Sequence, residues 1–305
     1  MIKKEITDEI LNKHLNTIDD DSREVFLLED NNFRATIIST THLLNQMRAN
    51  HETGVVESLV LGQAYIANAL LSATVKGNDR VQLTVECGGP IGGIYTEAWA
   101  CGAVRGYLKN NPIELKEPLT SFDTSTLYGP GFLTVTKLIE GNKAPFSGQI
   151  MLQSGNLAQD LASYFIESEQ TPSLFNLSID FDKDGRIMGA GGLFIQALPG
   201  CSEEALIKME EKTKTLPSLG KNMTKNTSPK EYIMANFPTA NHLSHETVGF
   251  SCPCNKDNFA KHLMGLPKKD RDSILKEGPF PLTLSCLNCN SHYVFSKEEI
   301  RTLFK

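Results

Sequence analysis

Two rhythms of apolar residues alternate through the first two hundred positions. Phe33 to Ile38 (FRATII) and Val81 to Glu86 (VQLTVE) have strand composition, and in the second Val81, Leu83 and Val85 fall on one face. Phe132 to Thr136 (FLTVT) and Gly148 to Leu152 (GQIML) continue the series. Two helices are predicted among them. The first, Val55 to Val75, has roughly the length of a membrane span, but Glu57, Ser58, Gln63, Asn68 and Ser72 interrupt it, which predicts a buried core helix. The second, Leu157 to Glu169, sets Leu157, Leu161, Tyr164 and Phe165 at helical spacing, a face suited to packing on a sheet. Strand runs broken by isolated helices predict an α+β fold, with a mixed helix-and-sheet domain over residues 1–200.

The pattern changes after Leu198-Pro199-Gly200. Residues 202–235 are highly charged and carry only small apolar clusters, Ala205, Leu206, Ile207 and Met209, then Tyr232, Ile233 and Met234. Such a stretch can dock on a domain but not hold a core alone, so 201–247 is expected to be a metastable helical linker. Residues 248–305 form a cysteine-bearing C-terminal module. In it Phe259, Leu263 and Leu266 make one apolar stripe, Pro267 opens a second helix through Ile274 and Leu275, and Tyr293 to Phe295 reads as a strand. Ser296 with Glu299 forms a capping box for a last helix ending at Leu303 and Phe304.

Composition narrows the function. At 305 residues and 40% hydrophobic the chain can bury a core. A net charge of -6 and a pI near 5.7 disfavour a nucleic-acid partner, since phosphate binding needs clustered Lys and Arg. The acid-studded opening residues lack the apolar run of a signal peptide, so a cytoplasmic protein with no membrane partner is expected.

In a reducing compartment, clustered cysteines point to metal or redox chemistry. Cys252-Pro253-Cys254 is followed after thirty-one residues by Cys286-Leu287-Asn288-Cys289. Two close thiol pairs separated by a helical insert predict a closed tetrahedral zinc site, one ion per chain, on Cys252, Cys254, Cys286 and Cys289. A module this small needs such support: zinc-finger peptides gain roughly 10–16 kcal/mol from metal. Spacing alone favours a permanently structural zinc ribbon. The CxC pair tilts toward a sensor, because a disulfide between residues i and i+2 closes a strained, easily reduced ring. His292 is read as a surface or hydrogen-bonding residue, and Cys87, Cys101 and Cys201 as small structural hydrophobes.

Other motifs carry little. Asp180 to Ile187 imitates the start of an EF-hand, but Gly191 occupies the twelfth position, so a hairpin turn is predicted. The glycines between Cys87 and Gly93 lack the phosphate-loop and dinucleotide signatures and read as tight turns or close backbone approaches. No serine-hydrolase or HExxH pattern occurs.

The two cysteine pairs, together with Ala69–Lys76 (ALLSATVK), Val81–Pro90 (VQLTVECGGP), the Gly148–Pro172 stretch and Gly189–Pro199 (GAGGLFIQALP), resemble the heat shock protein 33 family of redox-regulated chaperones. Asn290 departs from the glycine expected there, a mild change because Asn tolerates left-handed backbone. The resemblance implies a zinc-loaded, inactive reduced form. It further implies that oxidation forms Cys252–Cys254 and Cys286–Cys289 disulfides, expels zinc, unfolds the module and loosens the linker. The oxidised protein would then hold unfolded or misfolded client proteins without ATP, as a homodimer in some members, and would not be an enzyme. A thiol-disulfide oxidoreductase is the first rival, though no thioredoxin-like βαβ context surrounds the CxxC. A nucleic-acid-binding zinc ribbon is the second.

Overall fold

The apolar run at Val55 sets the architecture. In the computed structural model, which describes residues 1–115, 117, 119 and 121–305, it forms helix Val55–Leu71 with a 3-10 turn over Ser72–Thr74. Almost all its side chains are buried, including Glu57, Ser58, Asn68 and Ser72 among the polar ones that interrupt the run, while Gln63 is half-buried. Asn68 Nδ2 donates to Thr96 Oγ1 at 3.0 Å, Tyr65 Oη donates to the Gly106 carbonyl at 2.9 Å, and Glu57 accepts from the Ile113 amide at 2.8 Å. These hydrogen bonds, which leave Asn68 Oδ1 without a partner, let the helix sit in the middle of the protein, as its interrupted composition predicts.

The strands, numbered along the chain, are β1 (Ser22–Leu28), β2 (Phe33–Ser39), β3 (Arg80–Cys87), β4 (Gly93–Trp99), β5 (Ala103–Leu108), β6 (Gly131–Leu138), β7 (Phe146–Met151), β8 (Ser173–Phe181), β9 (Ile187–Ala197), β10 (Asn241–Thr247), β11 (Gly249–Phe250), β12 (Leu282–Ser285) and β13 (His292–Phe295). The first sheet runs β10-β1-β2-β9-β8 and the second β11-β5-β4-β3-β6-β7. All pairs are antiparallel except β11 on β5. The central helix packs on β2, β8 and β9 of the first sheet and on β3, β4 and β5 of the second, giving one shared apolar core. The fold is α+β.

Helix Leu157–Glu167 turns Leu157, Leu161, Tyr164 and Phe165 inward, as their spacing predicts. The EF-hand lookalike is the β8–β9 hairpin turn: Asp182 accepts from the Asp184 and Arg186 amides at 2.9 and 2.8 Å, and Arg186 pairs with Asp182 and Asp184. Gly89 shows why the 87–93 loop is glycine-rich, since a Cβ there would lie 2.3 Å from the Tyr128 carbonyl oxygen.

Beyond residue 200 lie helices Glu203–Lys214, Leu219–Thr224 and Pro229–Asn236. They bury Met209, Leu219, Met223, Tyr232, Ile233 and the following Phe237 on the outer face of the first sheet, against Phe26, Leu28, Ile37 and Leu193. Ile207 and Met234 face solvent instead. The chain then adds β10 to the edge of the first sheet, with all seven residues exposed, and crosses directly to β11 on the second. One expectation fails. Cys101 is not a buried small hydrophobe but an exposed thiol, because the tight turn from Trp99 to Gly102 pushes it outward.

Candidate metal centre

Each cysteine pair is delivered by a strand. Pairing of β11 with β5 continues through Ser251, whose amide donates to the Val104 carbonyl at 3.0 Å, and this places Cys252 against the second sheet. The other pair sits in the turn of the β12–β13 hairpin, where Leu284 faces Tyr293 and Ser285 faces His292. The Cys286 amide donates to the Ser291 carbonyl at 2.9 Å, and the Cys286 carbonyl accepts from Cys289 and Asn290. Asn290 takes the left-handed conformation (φ 51°) that this knuckle needs.

The four sulfurs converge. Cys252 Sγ lies 3.8 Å from Cys286 Sγ and Cys254 Sγ lies 3.3 Å from Cys289 Sγ, with all four within 4.8 Å of one another. Zinc–sulfur bonds of about 2.3 Å in a tetrahedron put sulfurs about 3.8 Å apart, so the cluster fits a Cys₄ zinc ion. Three of the thiols are buried and Cys254 is half-buried. His292 is exposed, its Nδ1 2.7 Å from Ser285 Oγ, and stays outside the cluster.

The surroundings favour a negative sulfur at Cys252. Arg105 Nη1 donates to Cys252 Sγ at 3.3 Å while its Nε donates to the buried Glu97 carboxylate at 2.8 Å. Tyr293 Oη lies 3.3 Å from Cys254 Sγ and donates to the Cys254 carbonyl at 3.0 Å. Ser291 Oγ lies 3.2 Å from Cys289 Sγ. Hydrogen bonds from Cys286 and Cys289, against burial and with help from Arg105, hold Cys252 far below the usual thiol range. Donating to that thiolate pushes Cys286 up to about 11 and raises Cys289 as well. Of these three thiols, Cys252 is therefore the one whose ionisation the surroundings favour.

The module's own core is small: Leu263, Tyr293, Phe295 and Ile300, with Phe259, Leu266 and Ile274 partly buried around them. Helices Lys256–Met264, Lys268–Glu277 and Lys297–Leu303 supply this packing, and the Ser296–Glu299 capping box is present. So little apolar burial matches a module that depends on metal.

The spacing of the cysteines could not indicate Arg105, Asn50 or Ser291. Gly106, beside Arg105, touches the second knuckle, its amide donating to the Asn288 carbonyl at 3.1 Å; a Cβ on it would lie 2.2 Å from the Tyr95 carbonyl oxygen, so glycine there serves the close β4–β5 pairing. Buried Asn50 donates to the Cys289 carbonyl at 2.9 Å. Contacts made through the backbone of a distant segment leave no periodic trace in sequence.

Comparison with known proteins places this geometry. The family model described as Hsp33 protein matches residues 21–296. The chain is 33% identical over 279 residues to the 33 kDa chaperonin of Desulforamulus reducens, covering 90% of this chain and 94% of that one. To the 33 kDa chaperonin of Bacillus subtilis it is 34% identical over 284 residues, covering 91% and 96%. The crystal structure of the 33 kDa chaperonin (heat shock protein 33 homolog) from Thermotoga maritima superposes with a TM-score of 0.83 at 30% identity, covering 94% of this chain and 98% of that one.

Proposed function

The chain belongs to the Hsp33 protein family, and from that premise we propose that it is a redox-regulated, ATP-independent holdase chaperone of the cytoplasm. The observation that carries the reading is the convergence of Cys252, Cys254, Cys286 and Cys289 within 4.8 Å at the seam between the small module and the second sheet. Zinc, when bound there, would supply the folding free energy that the module's core lacks.

In the reduced state the four thiolates are the groups that would hold zinc between the two knuckles, and Arg105 offsets part of their charge. A cleft lined by His51, Tyr95, Tyr107 and Lys109 opens onto Cys286 and Leu287, giving a small oxidant a path to the site. Formation of the Cys252–Cys254 and Cys286–Cys289 disulfides withdraws two electrons each. Two peroxide molecules accept these four electrons and, with four protons, leave as four waters. The sulfurs then carry no charge for a cation, and the knuckles lose their common centre. The module unfolds, and the chain just before Cys252, where β11 pairs with β5, loses the anchor at its C-terminal end. The apolar face of the first sheet under Met209, Tyr232 and Phe237 becomes available to unfolded clients. Binding is stoichiometric, without turnover, and the active form dimerises.

Light scattering of a denatured client tests this. Oxidised, zinc-free protein is expected to suppress aggregation near equimolar ratio without ATP, and reduced, zinc-loaded protein to do so poorly. Equal activity of the two forms removes the switch, and no activity in either removes the chaperone.

A further inference from the structure

The first twenty residues precede the stretch that the family model matches, yet they reach the metal centre. Helix Glu9–Leu15 begins on an Asp8 cap and turns Leu11 and Leu15 inward. Arg186 holds Asp8 at 2.8 Å, and His14 Nε2 lies 2.6 Å from the Met188 carbonyl oxygen, so this helix is anchored on the β8–β9 hairpin. Ahead of it the chain crosses helix Thr41–His51. Gln46 Nε2 donates to the Lys4 carbonyl at 2.9 Å, the Lys4 amide donates to Asn50 Oδ1 at 3.2 Å, and Lys4 Nζ pairs with Glu52 at 2.8 Å.

Its end touches both knuckles. The Met1 nitrogen donates to the Cys254 carbonyl at 2.8 Å, on the first pair. The Ile2 amide donates to Ser291 Oγ at 2.9 Å, beside the second pair, and that hydroxyl lies 3.1 Å from the Ile2 carbonyl oxygen. Asn50 closes the arrangement by donating to the Ile2 and Cys289 carbonyls, both at 2.9 Å, while Asn290 Nδ2 donates back to the Asn50 carbonyl at 2.8 Å.

These bonds exist only when the two cysteine pairs and helix Thr41–His51 are all in place. We propose that residues 1–15 are a strap that clamps the two knuckles to each other and to the core, so that metal loss and module release require the strap to lift. The helix, docked through Leu11 and Leu15, anchors one end of the strap and keeps its other end at high local concentration at the site, where each backbone hydrogen bond adds to the barrier to opening. The strap rests on the metal reading above, and its test separates the two.

Reduced full-length protein is compared with a variant lacking residues 1–7 and with Ile2→Pro, which deletes one N–H donor and leaves the anchoring helix intact. Zinc transfer to a chromogenic chelator and hydrogen exchange of the Cys286–Ser291 amides are both measured. Ile2→Pro is expected to speed transfer about fivefold, the equivalent of one net hydrogen bond, and the truncation more, with faster knuckle exchange in both. Unchanged transfer and exchange in the truncated chain overturn the strap and leave the metal site standing. If truncation prevents folding, Ile2→Pro decides by the same criteria. A full-length chain that holds no zinc overturns the metal reading instead. Exchange then judges the strap alone, and unchanged protection overturns it.

Discussion

Arg105 reaches Cys252 Sγ at 3.3 Å from a strand of the second sheet, so a guanidinium belonging to the core faces the thiol cluster of the module. The same side chain holds Glu97, which is buried and also paired with Arg80 at 2.6 Å, and it stacks its cation 5.0 Å from the Trp99 ring centre. Sheet and metal centre are therefore electrostatically continuous.

Arg105→Met is expected to weaken zinc binding about 10- to 100-fold, the usual cost of losing a group that supports a ligand. Competition with a calibrated chelator measures this. Arg105→Lys should recover part of the loss, because it restores charge without the fork that serves Glu97 and Cys252 together.

Serine in place of Cys252, Cys254, Cys286 or Cys289 is expected to abolish stoichiometric zinc, since each change removes one thiolate. Serine at Cys87, Cys101 or Cys201, and His292→Ala, should leave metal content at one per chain by elemental analysis. Retention in Cys254→Ser combined with loss in His292→Ala would falsify the four-thiolate assignment.

Phe237→Ala empties a fully buried site between segment 201–247 and the first sheet. It should cost about 3–5 kcal/mol of local packing. The reduced, zinc-loaded variant is expected to be cut first within 202–250 under limited proteolysis and to gain measurable aggregation suppression without oxidant. An unchanged digestion pattern would mean that this docking does not restrain the segment.

Asp21 gives a pH signature. Burial, partly countered by the Leu43 amide at 2.7 Å and by His42, raises its pKa to about 6. A raised folded-state value means that the native state keeps a proton the unfolded chain has already released. The associated stability is complete below the unfolded carboxyl range near 4 and is lost as pH climbs through about 6, a change of about 3 kcal/mol. Denaturant titrations from pH 4 to 7 should show this fall in the parent protein and a flatter profile in Asp21→Asn. Parallel profiles would exclude Asp21 as its source.

Much of the fold was legible because local rules and tertiary structure agree. Val81, Leu83 and Val85 alternate in sequence and point into one core; Ser296 and Glu299 cap the helix that their spacing predicts. The four cysteines were legible as a set, since metal ligation leaves a short-range signature. Strands β4 and β5 escaped because polar or small residues, Glu97, Arg105 and Gly106, break the apolar alternation; Glu97 and Arg105 pair across the hairpin, and Arg105 also reaches the distant Cys252. β10 escaped for the opposite reason: NHLSHET has no buried face and becomes a strand only because β1 offers an open edge. The support from Asn50, Arg105 and Ile2 was invisible, because it depends on which distant carbonyls and thiols the fold brings near.

The passage from β10 to β11 has a mechanical meaning. Within ten residues the chain lies along the rim of one sheet and then, just before Cys252, along the rim of the other. Among the described residues, edge hydrogen bonds, the His242 and His245 contacts to Glu24 and the His242 ring against Phe26 fasten β10. A tug from the cysteine end must first draw out β11, whose Phe250 is buried against His51 and Tyr65; beyond it the fasteners of β10 load in series, as on a tear strip, and give way residue by residue from Thr247 toward Asn241. The released length is set by geometry. Peeling stops where apolar burial resumes at Phe237, so partial opening has a natural resting point before the helices of segment 201–247 are disturbed.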